Sequence, residues 1–417
     1  MLVSCLSLHK DFIMIKFRPA TTNDTPFIAR AILSAVGIDD VDEKRLSQQA
    51  ELCGRDDVLY SWRNTTIAEM DGKVVGSITS YDGRNYCRMK VVTFPIIKAL
   101  YGLDFMAMPD ECAAGEYYLD SLYVAPEWRK RGIGTALVRQ GVERARWLRI
   151  PHVTLIVSPE KSAAAELYRR IGFADEGPLF AFNEHYTKMG MRLVLEPLLE
   201  VCAASLDSAR KADRAGAPRI ELCRRLDLGG LTPDRADIAA CVNTLSLKTF
   251  VLIRPRGGDF CYTEDEMQTI LDDIRYCRDI GAAGVVVGFL HEDGRVNTDY
   301  CRRAMEAARG MEVTFHRAFD RCAHWPEALE QIIECGFHRI LTSGQQPTAL
   351  QGVETLKAIR QQAAGRIVIL AGSGINAGNA ATIIRTTGVS EVHGSCKTNG
   401  YESDEAEIRR TLAAISC

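Results

Sequence analysis

A chain of 417 residues, 47% hydrophobic and 25% charged, is too long for one ordinary domain and predicts two. Its 51 Lys+Arg against 54 Asp+Glu leave a net charge of −3, which excludes a strongly basic nucleic-acid binder and a polyacidic tail. No apolar run approaches the roughly 18 residues a membrane helix needs, and low-complexity tracts are absent. The start, Met1 to Phe12, carries one late lysine, an acidic neighbour at Asp11 and no small-residue cleavage site, so it does not read as a secretory signal. The 14 cysteines are therefore expected as free thiols in a reducing, cytoplasmic setting. Residues 1–13 read as an N-terminal extension, because the strand-like run Met14-Ile15-Lys16-Phe17-Arg18-Pro19 is the better opening.

The next segment, 14–196, mixes strands and helices. Phe17 to Ala20 is a predicted strand. Thr25-Pro26 offers an N-cap with proline at the first helical position, leading into Phe27 to Val36. Thr66 to Met70 and Val74 to Ser80 flank Asp71-Gly72, the chemistry of a tight hairpin. Tyr117 to Val124 is a strand, followed by the turn Arg129-Lys130-Arg131-Gly132-Ile133-Gly134 and a helix from Thr135 to Leu148. A strand over Val153 to Val157, a helix over Ala163 to Ile171 and a last strand over Lys188 to Leu195 complete the segment. Gly132 and Gly134 let the backbone approach a ligand, and the N–H groups of the bend and of the first helical turn face one spot. With Arg129 and Lys130 beside it, that spot suits a diphosphate. The turn is not a dinucleotide fingerprint, since no third glycine follows at the required spacing.

In context the turn is specific. Tyr118-Leu119-Asp120-Ser121-Leu122-Tyr123-Val124-Ala125-Pro126, then Arg129-x-x-Gly132-x-Gly134-x-Ala136-Leu137, resembles the acetyl-CoA segment of the GNAT N-acetyltransferases. Ala164-x-x-Leu167-Tyr168-x-x-x-Gly172-Phe173 resembles that family's closing helix. The resemblance implies a mixed α+β sheet splayed at its centre, with the pantetheine arm of acetyl-CoA in the gap. It implies cofactor contacts from Leu122 and Val124 and from the bend, Arg129, Lys130, Arg131, Gly132, Ile133, Gly134 and Thr135. The acceptor is then a small-molecule or protein amine. Tyr168 occupies the family's usual place for protonating the leaving sulfur, and the N–H of Leu122 is read as an oxyanion donor. Glu116 or Asp120 is read as the base that takes the amine proton through water. The plainer alternatives are that Tyr168 packs its ring and that the two acids cap or pair. Lys161 stands where the family commonly has asparagine, seven residues before the tyrosine.

From 197 to 417, short apolar strands alternate with helices. The candidate strands are Leu199–Cys202, Arg219–Cys223, Thr249–Arg254, Gly284–Gly288, Glu312–His316, Arg339–Thr342, Ile367–Ala371 and Glu391–His393. Eight strand–helix units predict a (β/α)8 TIM barrel, with its site at the C-terminal ends of the strands. Parity places Glu200 with Cys202 and Glu221 with Cys223 on inward faces. Arg254, Arg256, Asp259, His316, Arg317, Asp320, Ser343, Gly372 and Gly374 gather at strand ends.

Glu221-Leu222-Cys223, Ile253-Arg254-Pro255-Arg256-Gly257-Gly258-Asp259-Phe260, Thr314-Phe315-His316-Arg317-Ala318-Phe319-Asp320, Leu341-Thr342-Ser343-Gly344 and His393-Gly394-Ser395 together resemble the CutC family, named for copper homeostasis. The segment after Ser395 is shorter than that family's usual loop. Cys202 and Cys223 match the cysteine pair proposed for copper in some of its members. They are read at equivalent positions on adjacent strands about 4.8 Å apart, with soft sulfur that suits Cu(I). The alternative is a pair of small buried core residues. A rival function is enzymatic: Arg254, Arg256, Asp259, Arg317, Ser343, Gly372 and Gly374 hold a phosphorylated or carboxylated substrate, while Glu221 or Asp320 moves a proton with His316 as partner. A third is a non-catalytic scaffold that self-associates through the barrel.

Overall fold

Short extended runs rich in β-branched and aromatic residues become strands here, and each amphipathic run between them becomes a covering helix. The computed structural model describes residues 15–35, 38, 42–398 and 400–416, and the predicted extension 1–13 lies outside them. The chain divides into two units, Met1–Leu195 and Glu196–Cys417.

In the first unit, β1 (Lys16–Pro19), β2 (Thr65–Met70), β3 (Lys73–Asp82), β4 (Glu116–Val124), β5 (His152–Val157), β6 (Ala174–Ala181) and β7 (Glu184–Arg192) form one sheet, ordered β1-β2-β3-β4-β5-β7-β6. Only the β4–β5 pair is parallel. Asp71 and Gly72 both have positive φ, 50° and 72°, as the tight β2–β3 turn requires. The helix Ile133–Trp147 buries Leu137, Val138 and Val142 in the cluster that includes Ile78, Leu119 and Val153. A second cluster collects Ile28, Ile32, Tyr81, Phe94 and Tyr118.

The structure differs from the sequence expectations at four points. The first helix, Thr25–Ala35, follows a 3-10 turn, Thr22–Asp24, so Thr25 is not the cap. Thr21 is the capping residue: its N–H and hydroxyl both donate to Asp24 Oδ2, at 2.7 and 2.9 Å. The last strand begins at Glu184 and ends at Arg192, short of Leu195. Its partner β6 was missed because Gly177 and Pro178 read as breakers. They are tolerated on an edge strand that carries an irregularity between Asp175 and Gly177. Helices Glu43–Cys53 and Tyr86–Tyr101 were also missed; the second has Pro95 in its interior.

The second unit is a closed, all-parallel barrel of eight strands: β8 (Leu198–Ala203), β9 (Arg219–Leu222), β10 (Lys248–Leu252), β11 (Gly284–Val287), β12 (Glu312–Phe315), β13 (Arg339–Thr342), β14 (Val368–Gly372) and β15 (Glu391–Gly394). Each strand splits its side chains between two faces. Leu199, Val201, Ile220, Leu222, Val251, Val285, Val313 and Ile340 join the cluster shared with the surrounding helices. Cys202, Cys223, Phe250, Leu252 and Val286 form a separate cluster inside the ring.

Candidate functional site

In the first unit, the site is made by a strand pair that comes apart. β4 and β5 are paired only through Glu116–Tyr118. From Leu119 to Val124, β4 keeps its partner β3, while β5 continues beside β7 alone. The edge of β4 facing β5 therefore opens at Leu122 and Val124. Immediately beyond it the chain turns through two left-handed residues, Lys130 (φ 61°) and Gly132 (φ 80°), into the helix Ile133–Trp147. The first intrahelical bond there is Ala136 N–H to Gly132 C=O, so the N–H groups of Ile133, Gly134 and Thr135 have no carbonyl of the helix to meet. A Cβ on Gly134 would sit 3.8 Å from the side chains of Leu122 and Val124, so the bend abuts the opened edge. Arg129, Lys130 and Arg131 are exposed. Arg129 Nε donates to Val124 O at 3.0 Å, and Arg131 lies 4.8 Å from the Trp128 ring centre.

Tyr168 is half-buried on the helix Ser162–Ile171, its ring edge-on to Phe173 at 6.0 Å. Burial pushes its hydroxyl up to about 12, so at neutral pH it holds its proton. Glu116 is fully engaged: Lys188 Nζ donates to it at 2.8 and 2.9 Å, Thr154 Oγ1 at 3.1 Å and the Ala113 N–H at 3.2 Å. It reads as a structural pin across the sheet rather than a free base. Asp120 accepts from Tyr81 OH at 2.7 Å and Ser121 Oγ at 2.5 Å, and burial raises its pKa. Sequence reasoning missed Glu111, which accepts from Tyr118 OH at 2.7 Å and Tyr86 OH at 3.2 Å. Burial, together with the Asp120 charge, pushes Glu111 up to about 8. Lys161, the departure from the family pattern, donates to Ala35 O at 3.0 Å.

The barrel interior begins with a layer of buried charge. Arg219 donates to Glu200 at 2.5 Å and to Glu391; Arg339 donates to Glu391 at 3.0 Å and to Glu312 at 2.9 Å. Both guanidiniums lie 5.2 Å from the Phe250 ring centre. That ring fills the space over Gly284, where a Cβ would meet it at 2.3 Å. Removing one partner from such a buried network leaves a charge uncompensated, which is costly.

The thiols sit past this layer. Register pairs Cys202 with Glu221, so Cys223 lies two residues further along β9's line and not opposite Cys202, as equivalent positions would have required. The stagger still brings the two Sγ atoms to 3.8 Å. One ligand atom from each of Cys202, Glu221 and Cys223 falls within 4.8 Å of the others, and the same holds for Glu200, Glu221 and His393. Glu221 thus joins two overlapping groups, and its Oε2 is buried with no hydrogen-bond partner. Burial, opposed by the His393 charge, pushes Glu221 up to about 7. His393 Nδ1 lies 2.8 Å from Glu200 Oε1. Burial would lower His393, but Glu221, Cys202 and Glu200 outweigh it and hold the ring charged.

Of the residues expected at the mouth, Arg254 and His316 are buried beside the ring of Phe260. The others have structural partners. Arg256 is tied to Glu266 at 2.5 Å, to Asp259 at 3.0 Å and to Cys261 O at 2.8 Å, which leaves it little to offer an anion. Asp259 is spent on Arg256 and on the Cys261 N–H. Asp320 accepts from Thr342 Oγ1, the Ser343 and Gln345 N–H groups, Ser343 Oγ and Arg317 Nε, so it organises the turn after β13 and has no lone pair left for proton transfer. Arg317 also donates to Ser343 Oγ at 3.1 Å. Gly372 packs closely on the Leu341 side chain, which an added Cβ would meet at 2.5 Å. Gly374 has φ +75° and faces Thr348.

Residues 197–398 match the model of the CutC family, and residues 38–173 match that of the acetyltransferase (GNAT) family. A CutC family protein of Bacteroides thetaiotaomicron is 48% identical over 218 residues, 52% of this chain and 86% of that protein. A solved CutC structure from Streptococcus agalactiae is 30% identical and covers 48% of this chain and 98% of its own, with a TM-score of 0.46. An N-acetyltransferase structure from Staphylococcus aureus is 21% identical and covers 42% of this chain and 99% of its own, with a TM-score of 0.37.

Proposed function

From a chain that belongs to the CutC family through its barrel and carries a GNAT acetyltransferase domain before it, we propose two activities: transfer of an acetyl group from acetyl-CoA to an amine by the first unit, and binding of Cu(I) by Cys202 and Cys223 in the barrel. The observation that carries the first is the opened edge of β4 at Leu122 and Val124, abutting a bend and helix terminus with free N–H groups. Those groups suit a diphosphate, and Arg129 and Lys130 add charge at the rim.

Acetyl-CoA, when bound, supplies an activated thioester. In this reading a backbone N–H on the open edge of β4, that of Leu122, stabilises the oxyanion. Tyr168 keeps its proton at neutral pH and its hydroxyl has no hydrogen bond to a described residue, so it is free to donate to the leaving sulfur. Asp120 is the better placed of the two acids for taking the amine proton through water, since Glu116 is committed to Lys188. The acceptor is a small-molecule or protein amine. Calorimetry of the whole chain with acetyl-CoA tests this half; the absence of binding would remove it.

The second half rests on the paired thiols. Two buried sulfurs 3.8 Å apart form a soft donor set of the kind Cu(I) prefers over hard cations. Cys202 and Cys223 would hold the ion, and Glu221 and His393 would flank it. A Cu(I) site of two thiols needs both sulfurs reduced, which suits a cytoplasmic setting; no described helix is long and apolar enough to cross a membrane. Native mass spectrometry with Cu(I) and a reductant reports whether one ion is retained.

A further inference from the structure

The mouth of the barrel holds a second site, separate from the thiols. Arg254 follows the end of β10 and His316 follows β12; Gly288 follows β11, the strand between them. A Cβ at Gly288 would lie 2.4 Å from His316 Nδ1, so the glycine vacates the space that the imidazole occupies.

Both side chains are clamped by backbone. Arg254 Nη1 donates to Leu228 O at 2.9 Å and Gly230 O at 3.0 Å, and Nη2 donates to Gly258 O at 2.9 Å. Arg254 is 5% exposed, its guanidinium makes no ion pair among the described residues, and its Nε–H is buried with no partner. Arg256, Arg317, Arg219 and Arg339 all have carboxylates, so Arg254 stands apart. His316 Nδ1 accepts the Ala318 N–H at 3.1 Å. That bond fixes the tautomer, because the proton must then sit on Nε2, which is also buried and unpartnered. Burial and the Arg254 charge push His316 down to about 3, so the ring stays neutral and Nε2 remains a donor throughout the physiological range. The ring of Phe260 packs against both, 5.0 Å from Arg254 Cζ and 4.8 Å from the imidazole centre. A third buried polar group without a hydrogen-bond partner, the hydroxyl of Tyr262, belongs to the same loop as Arg254 and Phe260.

Buried donors are nearly always satisfied. Here two rigid N–H donors and one uncompensated positive charge share an aromatic wall. A neutral acceptor would satisfy the donors but leave the charge; an anionic oxygen satisfies both. We propose that the barrel mouth binds a small anionic molecule through a carboxylate or phosphate oxygen, taken by the Nε–H of Arg254 and the Nε2–H of His316 beside Phe260. Phosphate and carboxylate share this chemistry, and the experiment separates them.

The full chain, kept metal-free with a chelator and reduced, is titrated with inorganic phosphate and separately with malonate. Heat is read by calorimetry, and the His316 Nε2–H is read by NMR on histidine-labelled protein. One or both anions should saturate, with the Nε2–H resonance moving in step. Saturation by phosphate alone assigns a phosphorylated ligand, and by malonate alone a carboxylate. His316→Asn keeps an acceptor for the Ala318 N–H but removes the second donor, and should weaken binding about tenfold or more. If neither anion moves the resonance at millimolar concentration, or if the folded His316→Asn chain binds as tightly as the parent, the proposal fails. The resonance is read on the unaltered chain, so a variant that does not fold leaves the test intact. Because no metal is present, failure here is independent of the thiol site.

Discussion

Cys202 and Cys223 bring their sulfurs to 3.8 Å inside a closed ring, and Glu221, opposite Cys202 in register, belongs equally to the neighbouring group of Glu200 and His393. The barrel interior is therefore graded along its axis. An ion-paired layer of Arg219, Arg339, Glu200, Glu312 and Glu391 is followed by the thiols, and then by the donors of Arg254 and His316 that have no partner. Compensation falls off toward the C-terminal mouth, where ligands of this fold bind.

The thiol pair makes the first prediction. Changing both Cys202 and Cys223 to serine replaces soft sulfur with hard oxygen and should weaken Cu(I) by about a hundredfold or more. Glu221→Gln, which removes only a hard ligand, should leave Cu(I) affinity nearly unchanged. Competition against bicinchoninate measures both. Equal affinity in the parent and the double-serine chain would exclude the thiol site.

Tyr168→Phe removes one hydroxyl and leaves the ring against Phe173 in place. If that hydroxyl protonates the leaving sulfur, turnover should fall by about a hundredfold while KM for acetyl-CoA stays constant. Release of CoA thiol in a colorimetric assay reads both constants. Unchanged turnover in the variant would mean that the ring only packs and the hydroxyl donates nothing.

Gly132→Ala tests the bend. Gly132 caps the helix Ile133–Trp147 at φ 80°, a conformation that costs a side-chain-bearing residue about 1–3 kcal/mol. The bend should shift to relieve this, and acetyl-CoA affinity by calorimetry should drop with only a small change in the melting of the sheet. Unchanged affinity would separate the bend from the cofactor.

The barrel was readable in sequence because each strand is a short apolar run with its own helix, and parity alone put Glu200, Cys202, Glu221 and Cys223 inside. The stagger of Cys223 was not readable, since register between parallel strands depends on closure of the whole ring. The ion layer left a signal that went unused: Arg219, Glu312, Arg339 and Glu391 are each the first residue of a strand, in step around the barrel. The engagement of Asp320, Arg256 and Glu116 could not be seen, because their partners are local turns or residues far along the chain. Tyr262 and Glu111 carry no motif and emerge only from burial.

Arg339, like Arg219, serves two carboxylates of the ion layer, here Glu312 and Glu391. Arg339→Met would leave both carboxylates buried with less counter-charge and should destabilise the barrel by about 3–5 kcal/mol. Denaturant unfolding followed by circular dichroism measures it. A loss under about 1 kcal/mol would mean that water enters the layer and screens it.

The same layer sets the acid limit of the barrel. Burial alone would raise Glu312, but Arg339, and after it Lys248, outweigh burial and hold it at about 2, against 4.5 in an open chain. A carboxylate with a depressed folded pKa stabilises the fold above its unfolded pKa, and that contribution is lost as pH falls through the folded value. The window is therefore from about 4.5 down to about 2, and the difference corresponds to about 3 kcal/mol. Glu200 is also held low, by Arg219 against burial, and adds in the same direction. Stability measured at stepped pH should fall steeply within that window. Glu312→Gln should flatten part of the slope while lowering the plateau, because the neutral amide no longer titrates and no longer balances Arg339. A parent slope unchanged by that substitution would place the acid sensitivity elsewhere in the fold.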